Sequence, residues 1–343
     1  MERKARALGM ISGGLDSLLA VAVLKSLDVD IAGLHYLNGF GAGSLRQRVC
    51  ERMPVEEIAA DKKERLESML SIPVRVIDVS GEFLEVLRSP RFGYGKNVNP
   101  CIDCRIFLLS KAREIMETEG FDFVFTGEVL GQRPMSQHLR AMRQVEKESG
   151  LTGRLLRPLC AKLLKMTEPE SEGLIDREKL LDIQGRSRKR QMALAEEFGI
   201  KDYATPAGGC TLTDENYARK YLDLAGHTRE ITCEDTVMLS MGRHLRLSDT
   251  VKIVVGRHEL ENDYLESEWG EKIQLTTLDH PGPVTVVIGD PTEDELLQAA
   301  AITARYSDGK REAMVRVSVA DGGDVREVEV APASDGELDR WRV

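Results

Sequence analysis

Along the first part of the chain, short apolar runs alternate with longer stretches of amphipathic spacing. Ala7-Leu8-Gly9-Met10-Ile11 reads as a buried strand, and Leu18-Leu19-Ala20-Val21-Ala22-Val23-Leu24 as the helix behind it. Asp30 to Leu37 is a second strand and Pro73 to Val79 a third. Between them, Glu56 to Leu70 has helical spacing, with Ile58, Leu66, Met69 and Leu70 on one side. Glu82 to Leu87 is a short helix, and the glycines, asparagines and proline from Arg91 to Pro100 make a loop. Arg105 to Glu119 then predicts a helix with Ile106, Leu109, Ala112, Ile115 and Met116 on its apolar side, and Phe121 to Glu128 a strand and turn. Asp176 to Phe198 reads as largely helical with a break near Gly185, Thr205 to Cys210 as a loop, and Glu215 to Leu224 as a helix stopped by Gly226. Strands alternating with helices imply an α/β fold with a parallel sheet, in which ligands sit outside the carboxyl ends of the strands.

Near residue 235 the pattern changes to short alternating runs at Lys252 to Val255, Lys272 to Leu275, Val284 to Ile288, Met314 to Val317 and Val325 to Val328. Helices at Leu260 to Glu268 and Glu293 to Tyr306 complete a second, smaller α+β domain, followed by an acidic, loose tail after Ala331. The expected division is residues 1–175 for the parallel-sheet domain, 176–235 for a helical extension, and 236–343 for the small domain. A length of 343 residues fits two or three domains. No apolar run approaches the ~20 residues of a membrane span, so the protein is expected in the cytoplasm and off the membrane.

Charge alters this picture locally. The net charge of −10 argues against general nucleic-acid binding, yet residues 131–165 hold eight Lys or Arg (133, 140, 143, 147, 154, 157, 162, 165) against two acids. Arg186-Ser187-Arg188-Lys189-Arg190 follows, so an acidic protein carries one candidate basic face.

The first strand-to-helix junction is Ser12-Gly13-Gly14-Leu15-Asp16-Ser17. Its glycines let the backbone approach an anion, and the amides of the turn and the new helix point toward it. Ser12 and Ser17 add hydroxyl donors, and Asp16 suits loop ordering or a magnesium ion. No Gly-Lys-Ser/Thr follows, so this is not the lysine-bearing nucleotide loop. Ser-Gly-Gly-Leu-Asp-Ser instead resembles the loop of the ATP pyrophosphatases, the PP-loop family of adenine nucleotide alpha hydrolase-like folds. That resemblance implies ATP and Mg2+ as ligands, held by Ser12, Gly13, Gly14, Leu15, Asp16 and Ser17, with Gly127 after the fourth strand. It further implies that Asp16 serves catalysis, with nearby Lys162 or Arg133 neutralising charge.

Six cysteines without a secretory segment do not read as a disulfide framework. Cys50, Cys160 and Cys233 are isolated and read as small buried hydrophobes. Cys101 and Cys104 are expected in a loop at the start of a helix, where the dipole and free amides would lower a thiol's pKa. Cys210 follows Gly208 and Gly209 in another loop. By itself Cys-x-x-Cys is ambiguous among a redox pair, half a zinc site and chance.

The loop, Asn99-Pro100-Cys101-Ile102-Asp103-Cys104 and Gly208-Gly209-Cys210 together resemble the tRNA thiolation branch of the PP-loop family, the 4-thiouridine and 2-thiouridine synthetases, over roughly residues 5 to 225. In that branch a uridine oxygen is adenylated and sulfur then displaces AMP. The resemblance assigns Cys104 and Cys210 to the chemistry of sulfur transfer, and Cys101, Cys104 and Cys210 to a [4Fe-4S] cluster in the manner of several relatives. The alternative is a persulfide on Cys104 resolved by Cys210. Expected partners are tRNA and a sulfur donor, either a cysteine desulfurase persulfide or free sulfide, with a homodimer as the candidate assembly. Known 4-thiouridine synthetases carry an amino-terminal RNA-binding module, whereas here the ATP loop begins at residue 12, so RNA contact falls to the second domain. Lys252 to Asp263, followed by His280-Pro281-Gly282, is similar to the RNA-binding domain of the NFACT ribosome-quality-control proteins. Rival readings are an amide-forming or amidotransfer PP-loop ligase, which needs no cysteine trio, and an RNA- or ribosome-associated binding protein.

Overall fold

A computed structural model describes residues 3–203 and 209–343, so the predicted loop at Thr205, Pro206, Ala207 and Gly208 lies outside the described residues. Two compact units emerge, one of residues 1–44 and 54–213, the other of residues 45–53 and 214–343. Residues 176–235 span the point where the first gives way to the second. No helix is long and apolar enough to cross a membrane among the described residues.

In chain order the first unit contains β1 (Arg6–Met10), α1 (Leu15–Ser26), β2 (Asp30–Leu37), the start of α2 (Ala42–Cys50), α3 (Val55–Leu70), β3 (Val74–Asp78), α4 (Ser80–Arg88), α5 (Cys101–Glu119), β4 (Phe123–Thr126), α6 (Leu139–Glu148), β5 (Leu155–Leu156), the single turn α7 (Glu168–Ser171) and α8 (Lys189–Glu197). Its five strands run parallel in the order β3-β2-β1-β4-β5. Both faces of this sheet are covered, which is why β1 reads as unbroken apolar sequence rather than as an alternation. Ala7 packs toward α1, α3 and α8, while Leu8 and Met10 pack toward α5 and α6. The predicted strands and most helices of this unit form where the pattern puts them.

Three expectations need correction. α5 starts at Cys101, with Pro100 as its N-cap residue, so both cysteines lie in its first turn and not in a preceding loop. The segment from Asp176 to Phe198 is α-helical only over Lys189–Glu197. Its apolar residues Leu180 and Ile183 are buried in the sheet's core, but the amides of Leu181 and Ile183 donate to the carbonyls of Pro158 (2.9 Å) and Leu159 (2.8 Å). The turn that follows β5 thus takes hydrogen bonds that a helix would have used. Gly226 does not stop its helix, which continues to His227.

The second unit contains α9 (Glu215–His227), α10 (Cys233–Met238), β6 (Arg243–Arg246), β7 (Lys252–Val255), α11 (Glu259–Glu268), β8 (Ile273–Thr277), β9 (Thr285–Ile288), α12 (Glu293–Arg305), β10 (Val315–Asp321), β11 (Asp324–Val330) and α13 (Asp335–Trp341). Its six strands are antiparallel in the order β11-β10-β8-β9-β7-β6. Leu245, Ile253, Val255 and Val287 face α12, whereas Val254 and Val286 face α10 and α11. The tail expected to be loose forms α13, because Ser334 and Glu337 make a reciprocal capping box and Leu338 is buried.

On the second face Arg246 stands opposite Lys252 across β6 and β7. Both reach Asp223 on α9, at 2.9 Å from Arg246 Nη2 and 2.8 Å from Lys252 Nζ, and all three side chains are largely buried. Burial alone would raise the Asp223 carboxyl, yet these two donors hold it below its ordinary value. Asp223→Ala is therefore expected to destabilise this unit by roughly 3–5 kcal/mol at neutral pH, since two buried cations lose their acid. A depressed carboxyl contributes above its unfolded value of about 3.9 and loses that contribution as pH falls through the folded value. Urea unfolding curves should accordingly show the gap between wild type and variant closing below about pH 4; a gap independent of pH would assign it to lost packing.

Candidate functional site

The loop between β1 and α1 leaves the carboxyl end of the sheet's central strand. Ile11 still pairs with Leu34 (N to O, 2.8 Å), and the His35 Nδ1–H donates to the Ile11 carbonyl at 2.6 Å. Burial pulls the His35 pKa down to about 4, so the ring is neutral at physiological pH and serves as a brace for the strand end. Gly13 then takes φ of +78°, the left-handed conformation that a glycine adopts without strain. The Ser17 hydroxyl donates to the Gly14 carbonyl at 2.8 Å and lies 3.2 Å from the Ser12 hydroxyl. α1 begins at Leu15 with Gly14 as its N-cap residue and no side chain capping its first turn. The end of the dipole that attracts anions is thus offered with no resident acceptor from the cap.

Asp16 faces into a polar pocket of side chains. Its Oδ2 accepts from Gln132 Nε2 at 2.8 Å and lies 3.7 Å from an Arg188 guanidinium nitrogen, while Gln132 Oε1 accepts from Gln191 Nε2 at 3.2 Å. Three buried atoms of this set have no hydrogen-bond partner among the described residues: Asp16 Oδ1, Arg188 Nε and Gln191 Oε1. Such orphans are rare in folded proteins and mark a place where a further ligand belongs. A magnesium-bound polyphosphate, which brings both cation and acceptor oxygens, fits them; Asp16 is the residue that would hold the metal.

Gly127, at the end of β4, touches this loop from the next strand. A Cβ at residue 127 would stand 2.6 Å from the Ser17 amide nitrogen and still closer to the Asp16 carbonyl, so glycine alone fits. The following Glu128 is buried and receives Arg157 Nε at 3.0 Å and Arg105 at 3.3 Å, with Arg157 also bonding Glu146 at 3.0 Å. Burial would raise the Glu128 carboxyl, but Arg105 and Arg157 hold it below its ordinary value. Arg105 follows Cys104 in the first turns of α5, so the network runs from the glycine loop to the thiols.

Cys101, Cys104 and Cys210 come together. The Cys104 thiol feels both of the others, and Cys210 feels Cys101. Residue 210 is placed by a bridge to Gly41, by the Thr211 amide donating to the Phe40 carbonyl at 3.1 Å, and by Asn97 donating to the Thr213 carbonyl at 2.8 Å. Gly41 lies just beyond β2, the neighbour of β1, so thiols and glycine loop share the carboxyl edge of one sheet. The expected lowering of the thiol pKa by the helix dipole is overturned. Burial pushes Cys104 up to about 12 and Cys210 to about 11, outweighing the opposing pull of Arg105 on the first and of the Leu212 backbone and Arg133 on the second; Cys101 is also raised by burial. Among the described residues no group of three or more His, Cys, Asp or Glu side chains is arranged to hold a metal ion. Of the isolated cysteines Cys160 is buried, with its thiol donating to the Glu128 carbonyl at 3.3 Å, while Cys50 and Cys233 are half-buried.

Of the two cations expected at the loop, Lys162 is engaged with the Glu178 carbonyl at 2.7 Å and its carboxylate at 3.2 Å, and Arg133 acts on the thiols. The cations the structure puts at the loop are Arg188 and Lys62, whose Nζ is 3.5 Å from the Cβ position of Gly13. Neither role was legible in the sequence. Lys62 is one of several charges on an amphipathic helix, and Arg188 is one of four cations within five residues.

Residues 3–163 match the family model described as Thiamine biosynthesis protein (ThiI), and residues 242–342 that of the NFACT protein RNA binding domain. The tRNA-specific 2-thiouridylase MnmA 1 of Syntrophus aciditrophicus is 32% identical over 129 residues, 36% of this chain and 33% of that protein. The MnmA of Bartonella quintana is 28% identical over 155 residues, 42% of this chain and 36% of that protein. The chain thus spans about a third of the length of these curated relatives. A solved 4-thiouridine synthetase–RNA complex with bound ATP aligns with a TM-score of 0.33 and 18% identity, covering 57% of this chain and 52% of that one. The amino-terminal part of the chain is thus similar to ThiI and to tRNA-specific 2-thiouridylases, and the carboxyl-terminal part matches the model of the NFACT RNA-binding domain.

Proposed function

We propose that the protein is an ATP-dependent tRNA uridine thiolase of the cytoplasm. The observation that carries this reading is the gathering of three thiols beside the glycine loop at one sheet edge, linked through Gly127, Glu128 and Arg105. A uridine oxygen attacks the α-phosphate of ATP and pyrophosphate leaves, with the loop amides and Ser12 and Ser17 receiving the phosphate charge. The uridine carbon then carries AMP, a far better leaving group than the oxygen it replaces. The terminal sulfur of a Cys104 persulfide, received as sulfane sulfur from a cysteine desulfurase persulfide whose thiol is thereby released, displaces AMP and leaves a disulfide between the nucleoside sulfur and Cys104. The Cys210 thiol attacks the Cys104 sulfur, which releases the thiouridine and forms a Cys104–Cys210 disulfide that a cellular dithiol reduces.

Burial of the thiols gives this scheme a gate. With pKa values of about 12 and 11, Cys104 and Cys210 are almost wholly protonated at pH 7, so neither reacts until substrate binding changes its surroundings. Alkylation by iodoacetamide at pH 8 should therefore be slower at both than at a free cysteine of ordinary pKa, about 8.5. Rates equal to that of free cysteine would show that the thiols are already activated.

Loss of the gene should remove one thionucleoside from bulk tRNA; an unchanged profile overturns the proposal and leaves the ligase and binding-protein readings. Asp16→Ala and Ser17→Ala should abolish AMP formation from ATP with tRNA present. Cys104→Ala and Cys210→Ala should abolish thiolation while leaving adenylation measurable, and Cys101→Ala should remain active in colourless protein. Brown protein with near four irons per chain after anaerobic purification, lost with any one of the three cysteines, would replace the persulfide with a cluster.

A further inference from the structure

The glycine loop lacks the lysine that other phosphate loops carry in their own sequence, yet it does not lack cations. Lys62 reaches it from α3: its Nζ is 3.5 Å from the Cβ position of Gly13, in the space that the left-handed turn and the missing side chain leave open. Arg188 reaches it from the residue before α8 and lies 3.7 Å from Asp16 Oδ2, too far for a hydrogen bond. Its Nε is buried without an acceptor, and Gln191, fully buried on the next turn, has an unpartnered Oε1. Gln184 bridges Leu130, and the Gly185 amide donates to the Leu130 carbonyl at 2.8 Å, so the approach of α8 is stitched to the segment that also delivers Gln132. Arg188 and Gln191 both lie beyond residue 163, outside the stretch that matches the ThiI family model.

We propose that Lys62 and Arg188 form a two-sided clamp on the pyrophosphate moiety of ATP, Lys62 at the Gly13 end of the loop and Arg188 at the Asp16 end. A buried guanidinium donor without an acceptor is unfavourable in the empty loop, and a phosphate oxygen supplies what it lacks. Lys62 stands beside the Gly13 turn, and burial together with Arg65 keeps its ammonium below the ordinary value, so an arriving polyanion stabilises its charged form. The two positions divide the work by chemistry. Arg188 can give parallel N–H bonds to one phosphate, and Lys62 acts as a point charge. The clamp explains how a loop without its own lysine neutralises a leaving group of high negative charge. It rests on the reading of the loop as an ATP site.

Calorimetric titration of the full chain with MgATP, magnesium pyrophosphate and AMP separates the cases. Lys62→Ala and Arg188→Ala should each weaken ATP and pyrophosphate by roughly tenfold or more, while AMP affinity is unaltered. Lys62→Arg, which keeps the charge, should recover most of the loss, and Arg188→Lys, which keeps the charge without the parallel bonds, only part of it; a damaged fold would allow neither recovery. ATP affinity unaltered in either alanine variant, or ATP and AMP affinity falling together, overturns the clamp. Wild-type protein that binds neither ATP nor pyrophosphate removes the ATP reading itself, whereas wild-type binding with insensitive variants removes the clamp alone.

Discussion

Residue 127 has no side chain because the first turn of α1 occupies the space where one would be. This close approach of two backbones, from strands β1 and β4, sets the width of the site. With the loop fixed against β4, whatever follows Gly127 is carried to the loop's border. Glu128 is that residue, and as a buried carboxylate it must be paired. Arg157 and Arg105 pair it, one from beyond β5 and one from α5, so one backbone contact ends by tying four segments of the first unit together. The arrangement does two things at once: it satisfies a buried charge, and it anchors the helix turn that bears the thiols.

At those thiols, two physical effects of opposite sign meet. The start of α5 and the nearby arginines favour thiolate, and removal from water favours thiol. Burial wins at all three positions. A helix terminus contributes on the order of 1 kcal/mol, and full burial of an ionisable group shifts its pKa by up to 3–5 units. A buried, protonated thiol is also protected from adventitious oxidation.

How much of this was legible follows from what each signal measures. Apolar periodicity reports burial, so the strands β1 to β4 and the helices between them were readable, as was the glycine loop, whose chemistry is contiguous in sequence. β6 was not readable, because its inward residue is a buried histidine and its sequence Arg243-His244-Leu245-Arg246 shows no apolar alternation. The segment around Leu180 and Ile183 has apolar spacing that a helix and an edge pairing satisfy equally, and only the backbone partners at Pro158 and Leu159 decide it. Lys62 and Arg188 stayed hidden for a related reason. Long flexible cations are common on helices, and their role depends on contacts across 49 and 172 residues of sequence, counted from Gly13 (62 − 13) and Asp16 (188 − 16).

The basic stretch shows how far composition alone carries an RNA argument. Of its eight cations, Arg157 is buried between Glu128 and Glu146, Arg154 donates to the carbonyls of Phe121 and Asp122, and Lys162 is held by Glu178. The ties of Arg157 and Arg154 are internal, and a phosphate backbone cannot claim them without breaking the fold, whereas the Lys162 pair is on the surface. Arg133 acts on the thiols, whereas Arg143, Lys147 and Lys165 line a cavity of about 440 Å³ beside β5 with Met142, Leu155 and Met166. A charge run of eight thus resolves into structural cations and a smaller set ranged around an apolar floor. Glu146, Glu168 and Glu170 line the same cavity, so its cations are met by acids and the run of eight does not make an unopposed basic face on a chain whose net charge is −10.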